Sequence, residues 1–217
     1  MKKLSIILIT IVFTAGFAQA QFRAGIRAGL NVTSFWGSAV PSPVFVEESE
    51  TEARVGFQAG IVGEYAFGKR FAIQPAILYA QQGYMVRETI EDQGEHLMDF
   101  VLNYVQVPVN AMVKIGAKKA CFFLQAGPYV GYATNGKGKI EYKEGNKVIE
   151  SNVDEVKFTD DALKRLDVGA GIGLGVQFSG LQIGFGFNLG LMNLNNNSEM
   201  NMKNNGATLT LSYLFGK

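Results

Sequence analysis

Five charged residues fall on the polar side of runs in which apolar side chains recur at every second position: Arg23, Arg27, Glu64, Lys114 and Asp167. If those runs enclose an interior, the charges must be paired, because an isolated ion in a dry environment is very costly. The expected arrangement is an internal network, Arg27 with Glu64 and Arg23 or Lys114 with Asp167, whose role is structural. Other chemistry is sparse. His96 is the one histidine, near Asp92, Glu95 and Asp99. A single histidine without fixed ligand spacing reads as part of a solvated acidic loop, so no metal site is expected. Acyl transfer or proteolysis would need a base beside a nucleophile, and only His96 is available, with no evident relation to a serine. No enzyme activity and no cofactor are expected. Gly169, Gly171, Gly173 and Gly175 resemble a nucleotide loop only superficially. They keep strict period two with no following helix, whereas a phosphate loop needs a strand-to-helix break. Cys121 has no partner for an internal disulfide and reads as a small apolar strand residue.

The elements that must position these residues are strands. Residues 103–132 are the clearest case: Val105, Val107, Val109, Ala111, Val113 and Ile115 alternate with Tyr104, Gln106, Asn110 and Lys114. A second run follows a turn of about five residues, too short for a parallel crossover, so the pair is an antiparallel hairpin. The same pattern predicts strands over about 22–31, 54–66, 71–84, 167–178, 181–191 and a last one ending at Phe215. Between them lie connections that alternate long and short. Long, polar loops are expected at 32–53, 85–102, 133–166 (with room for a short hairpin of its own) and 192–205. Short turns are expected at 67–70, 116–120 and 179–180. Pro75, Pro108 and Pro128 fall inside strands, where each removes a ladder donor, and bulges are expected there.

Eight strands with this alternation predict an all-β fold, an eight-stranded antiparallel up-and-down barrel with all short turns at one end. The polar face is Gly, Gln, Asn, Thr and a few charges, which suits a narrow lumen. Leu, Val, Ile and Phe then face outward, which suits hydrocarbon. A water-soluble barrel would reverse this, so a lipocalin-like periplasmic ligand binder is the alternative. Aromatic residues near strand ends, among them Phe67, Phe71, Tyr79, Tyr132, Tyr213 and Phe215, are expected to form interfacial girdles. The N-terminus carries Lys2 and Lys3, an apolar run to Phe17 and a small-x-small site at Ala18-Gln19-Ala20, the pattern of a cleavable signal peptide over 1–20, leaving 21–217 as one barrel domain. Removing Lys2 and Lys3 turns 20 basic against 19 acidic residues into 18 against 19, and nothing suggests nucleic acid. Export to the outer membrane with both termini periplasmic follows as the expected location.

At Tyr104-Val-Gln-Val-Pro108, followed by Gln125-Ala-Gly-Pro-Tyr129, the sequence resembles the PorT-like outer-membrane β-barrel family of Bacteroidetes, barrels of the OmpA/OmpX type. Gly25-Ile-Arg-Ala-Gly29-Leu30-Asn31, the Gly-rich sixth strand and the aromatic-ended last strand extend the likeness over nearly all of 21–217. The resemblance implies the fold and no catalytic residue. PorT itself is linked to protein secretion. The expected role is therefore structural or adhesive, or accessory to a secretion or surface complex, with a plugged lumen; narrow-pore transport is the alternative. The expected partners are outer-membrane lipid and lipopolysaccharide, the barrel-assembly machinery, and surface or secretion partners reached through the long loops.

Overall fold

The computed structural model describes residues 22–36, 50–90, 94–117, 120–144, 147–156, 158, 163–196 and 201–216. The expected signal peptide and residues 37–49 of the first long connection lie outside them. The strands are β1 (Phe22–Trp36), β2 (Glu50–Phe67), β3 (Phe71–Ile90), β4 (Gly94–Gly116), β5 (Ala120–Glu144), β6 (Lys147–Glu155), β7 (Leu166–Phe178), β8 (Leu181–Gly190) and β9 (Lys203–Phe215). Their order is β4-β3-β2-β1-β9-β8-β7-β5-β6, with β4 also pairing β5, so all but β6 close into an eight-stranded ring. Every pairing is antiparallel, and the seam runs from Ala24 opposite Phe215 to Trp36 opposite Lys203.

Two stretches expected as loops are largely strand. β3 and β4 continue past the ring as a hairpin paired from Gly83–Val101 to Ile90–Gly94. β5 likewise continues to Glu144 and returns as β6, the short hairpin for which 133–166 had room. β1 and β2 also extend beyond their expected ends. The reason is environmental: beyond the apolar belt nothing forces one face to be greasy, so the alternation that signals a strand disappears while backbone pairing persists. The wall is therefore tall along β2–β6 and short along β7–β9.

Side-chain exposure settles which face is which. Ile26, Ile61, Leu174 and Leu209 are 53–60% exposed, whereas Glu64, Gln74 and Asp167 are at most 1% exposed. An exterior this apolar is too large a patch for a soluble monomer and matches a hydrocarbon-facing band. The interior is narrow enough that β7 needs glycine: a Cβ on Gly169 would meet the Tyr129 ring at 2.5 Å, and one on Gly175 the Phe123 ring at 2.4 Å. Two of the glycines that superficially resembled a phosphate loop are thus the floor on which two aromatic rings lie, while Gly171 and Gly173 face the side chains of Asn188 and Gln125.

At the end away from the short turns the interior becomes apolar. Phe35, Tyr84, Met98, Leu102, Tyr104, Leu194 and Met202 form a buried cluster, with Tyr84 edge-on to Phe35 and stacked on Phe100. The alternation did not reveal it, because its members come from inward positions of β1, β3 and β4 and from the β8–β9 connection.

The prolines do not make bulges. Pairing skips from Val62–Ala76 to Tyr65–Ile73 around Pro75 and from Pro108–Tyr129 to Ala111–Ala126 next to Pro128, and resumes each time in the same register. A proline removes a donor but adds no residue, so the ladder loses a bond and keeps its count. Register shifts sit instead at Ala53/Gln58, Asn103/Tyr104 and Tyr142/Lys143. If the exposed band meets hydrocarbon, Leu209→Lys, midway along β9, should destabilise folding into lipid vesicles by about 2–4 kcal/mol, and Phe215→Lys at the strand end by about 0–1. Urea titration of the vesicle-inserted protein measures both; equal, negligible effects would contradict the assignment of faces.

Candidate functional site

The interior near the short turns is organised by one carboxylate. Glu64 of β2 is reached by Arg23 of β1 at 2.5 Å and by Lys114 of β4 at 2.7 Å, both through Oε1. Its Oε2 accepts from Gln74 of β3 at 3.3 Å and from Gln182 of β8 at 3.1 Å. Gln182 also donates to Gln177 of β7 at 3.0 Å and accepts from Gln74 at 3.0 Å. Arg27 of β1 donates to Ser212 of β9 at 2.9 Å and to the Gln74 side-chain oxygen. Every ring strand except β5 thus contributes a side chain to one connected network.

Alternation explains why these residues meet. Each occupies an inward position close to a short turn: Glu64 precedes the turn after Phe67, Lys114 the end of β4, and Gln177 and Gln182 flank Ser179-Gly180. Of the expected partners, Arg23, Lys114 and Glu64 are brought together and Arg27 lies beside them, bonded to neutral groups. Asp167 is not among them, and the expected pairing of Arg23 or Lys114 with Asp167 is corrected. From Gln177 to Asp167 is about 30 Å of strand at roughly 3.3 Å per residue, so the two ends of β7 serve different layers of the lumen.

Asp167 sits in the far layer. Its Oδ2 accepts from Asn204 at 2.8 Å and from the Tyr129 hydroxyl at 3.2 Å, while its Oδ1 has no hydrogen-bond partner. Asn204 also reaches the Tyr104 hydroxyl at 3.4 Å, which links this layer to the apolar cluster above it. Between the layers lies a cavity of about 10 Å³ lined by amides and hydroxyls, including Asn31, Gln58, Gln106, Asn188, Asn204 and Thr208. That is room for about one water molecule.

The residues that sequence reasoning missed are the neutral ones: Gln74, Gln177, Gln182, Ser212, Tyr129 and Asn204. The available signal was amides recurring on the polar face of strands that are otherwise apolar, since a buried amide needs partners as much as a charge does. The other candidates separate from the network. Asp99 pairs with Arg54 at 2.6 Å on the wall beyond the ring. The backbone of His96 pairs within β3–β4–β5, while its side chain lies outside the described residues. Among the described residues no three His, Cys, Asp or Glu side chains form a metal-binding group. Cys121 is a half-buried free thiol opposite Gln177.

Replacing Glu64 by Gln leaves Arg23 and Lys114 without their carboxylate, and removing one member of a buried ionic group costs about 3–5 kcal/mol. The triple replacement Arg23→Met, Glu64→Met, Lys114→Met should recover most of that loss. Equilibrium unfolding in urea distinguishes the two; a Glu64→Gln variant as stable as wild type would show that the network does not hold the barrel.

Comparison with known proteins agrees with this architecture. The family model described as outer membrane protein beta-barrel domain matches residues 17–196. No curated protein matches the sequence. Among solved structures, Ail, the attachment invasion locus protein of Yersinia pestis, crystallised with the heparin analogue sucrose octasulfate, is 14% identical, with 90% of this chain and 99% of that one covered and a TM-score of 0.42. Neisserial surface protein A is 13% identical, covering 88% and 97%, with a TM-score of 0.44. OprG of Pseudomonas aeruginosa is 8% identical, covering 90% and 95%, with a TM-score of 0.40. With these TM-scores below 0.5, the assignment rests on the family model and on the closed antiparallel order. The chain belongs to the outer membrane protein beta-barrel domain family, and its apolar exterior is the surface that meets the outer membrane.

Proposed function

We propose that this protein is a closed, non-conducting barrel whose outward work is done by its tall wall, as a structural or adhesive element or as an accessory of a secretion or surface complex. The observation that carries this reading is the filling of the lumen in successive layers. Glu64 and its partners cross the turn end, Tyr129, Asp167 and Asn204 cross the middle, and the cluster around Tyr84 and Leu194 caps the far end. The cavity between them has room for about one water molecule. Arg23, Arg27, Glu64, Lys114 and Asp167 are structural residues in this reading.

The short connections Gly68–Arg70 and Ser179–Gly180, with both chain ends, would then face the periplasm. The extensions of β3, β4 and β5, with β6, would project outward. Their surface changes character above Tyr79 and Tyr132: Tyr79 donates to Asn103, Asn103 to Asn135, and the pairs Arg54–Asp99 and Lys139–Glu141 lie beyond. That sequence, aromatic ring, then amides, then ion pairs, is what a wall emerging from lipid into lipopolysaccharide headgroups and water would carry. Tyr104-Val-Gln-Val-Pro108 and Gln125-Ala-Gly-Pro-Tyr129 support a place in the PorT-like branch, and with it the secretion-accessory version of the role. Insertion by the barrel-assembly machinery and export through the signal peptide belong to the same reading.

Purified protein in planar lipid bilayers is expected to give no steady, large single-channel current, and cross-linking in native membranes followed by pull-down is expected to recover a surface or secretion partner. Steady large currents from the wild-type protein would contradict the closed-barrel reading. Recovery of lipopolysaccharide and assembly machinery alone would favour a lone scaffold over an accessory.

A further inference from the structure

The charge of the barrel is segregated along its axis. In the ring halves that adjoin the short turns, Glu64 is the one carboxylate among the described residues, against Arg23, Arg27, Lys69, Arg70 and Lys114. Both oxygens of Glu64 are already engaged by Arg23, Lys114, Gln74 and Gln182, so it does not neutralise the turn itself. Lys69 and Arg70 are exposed there. The Lys114 backbone N–H donates to the Arg70 carbonyl at 2.7 Å, which sets the end of β4 alongside the same turn.

The setting of these cations says what they would meet. Phe67 and Phe71, cross-strand partners immediately flanking the turn, are 50% and 57% exposed, and the next outward pair, Ile115 and Phe122, is 59% and 69% exposed. The positive charges therefore begin where the apolar belt ends, at the height of lipid headgroups. A soluble acidic partner has no use for the exposed phenyl rings beneath the cations, whereas a phospholipid offers acyl chain to the rings and phosphate to the cations. On the tall wall at the other end the balance shifts toward acid, with Glu52, Asp99, Glu141, Asp154 and Glu155 against Arg54, Lys137 and Lys139 among the described side chains.

We propose that the rim formed by Lys69 and Arg70, backed by the net positive charge that Arg23, Arg27 and Lys114 keep over Glu64, is a docking surface for the phosphodiester headgroups of anionic phospholipids. Arginine supplies a planar donor fork for two phosphate oxygens and lysine a compact charge, and both act in the interfacial region where partial desolvation strengthens them. The preference for anionic headgroups follows from this geometry alone. Its placement in the periplasmic leaflet rests on the proposed orientation of the short turns.

The test is native mass spectrometry of the folded, full-length protein released from vesicles of equal phosphatidylcholine and phosphatidylglycerol. Wild type should retain phosphatidylglycerol preferentially. The Lys69→Gln, Arg70→Gln double variant should lose that preference by roughly thirtyfold, a size set by two cations near an anionic surface. Its urea unfolding midpoint should be unchanged, and Lys137→Gln with Lys164→Gln at the far end should keep the wild-type preference. Equal retention of the two lipids by wild type, an unaltered preference in the Lys69/Arg70 variant, or an equal loss in the far-end variant would overturn the proposal. Orientation is read separately, from Lys69→Cys on a Cys121→Ser background treated with a membrane-impermeant maleimide in intact cells. Protection supports the periplasmic leaflet; labelling overturns that placement and the proposed orientation, and leaves the headgroup preference to be decided by the mass spectra.

Discussion

Closure of β1 onto β9 is the constraint from which the rest of the structure follows. Hydrocarbon offers no partner to a backbone N–H or C=O, so a sheet that spans a membrane must have no edge. The seam supplies that closure, with Ile26 opposite Tyr213 and Leu30 opposite Leu209 on the outside and Arg27 opposite Ser212 on the inside. Once eight strands are closed, half of every strand is committed to an interior too narrow for a second layer of large branched side chains. Glycine on β7 beneath Tyr129 and Phe123 is one consequence; the crowd of amides around Glu64 is another.

The interior satisfies itself in two different ways. Near the turns it does so with hydrogen bonds, three cations and one carboxylate held together by glutamines that donate to one neighbour and accept from another. A network of this kind specifies geometry more than it adds stability, because desolvating its charges offsets much of their attraction. It ties seven ring strands at one level and so resists slippage of any one of them. At the far end the same task falls to packing, where Phe35, Met98, Leu194 and Met202 need no polar partner. Asp167, Tyr129 and Asn204 form the joint between the two regimes.

Much of the ring was legible in the sequence because membrane and lumen impose opposite demands on adjacent residues. Val105 to Ile115 and Leu181 to Leu189 alternate so strongly that strand and face can both be read. The outer extensions were not legible, since residues such as Lys137, Lys139 and Glu141 are polar on either face of a strand standing in water. The charge pairing was only half legible. Arg23, Glu64, Lys114 and Asp167 all occupy inward positions, but axial height depends on distance from the nearest short turn. Counting from Ser179-Gly180 places Gln177 and Gln182 beside Glu64 and Asp167 far from it; the period-two pattern alone does not. The apolar cap drew on inward residues scattered over several strands and a connection, a grouping that becomes visible only when the ring is closed.

The same closure makes the barrel polar along its axis, basic where the chain turns tightly and acidic on the tall wall, since the short turns hold few residues and those few include Lys69 and Arg70. The closed ring itself is tested most directly by engineered disulfides in protein assembled in native outer membranes, on a Cys121→Ser background. Ala28→Cys with Leu211→Cys joins facing outward positions of β1 and β9. Ala28→Cys with Ile183→Cys spans two strands, about 10 Å, beyond the reach of a disulfide. Oxidation should cross-link the first pair and leave the second free, read as a reducible shift in gel mobility. Failure of the first pair to form, or equal cross-linking of both, would contradict a barrel closed between β1 and β9.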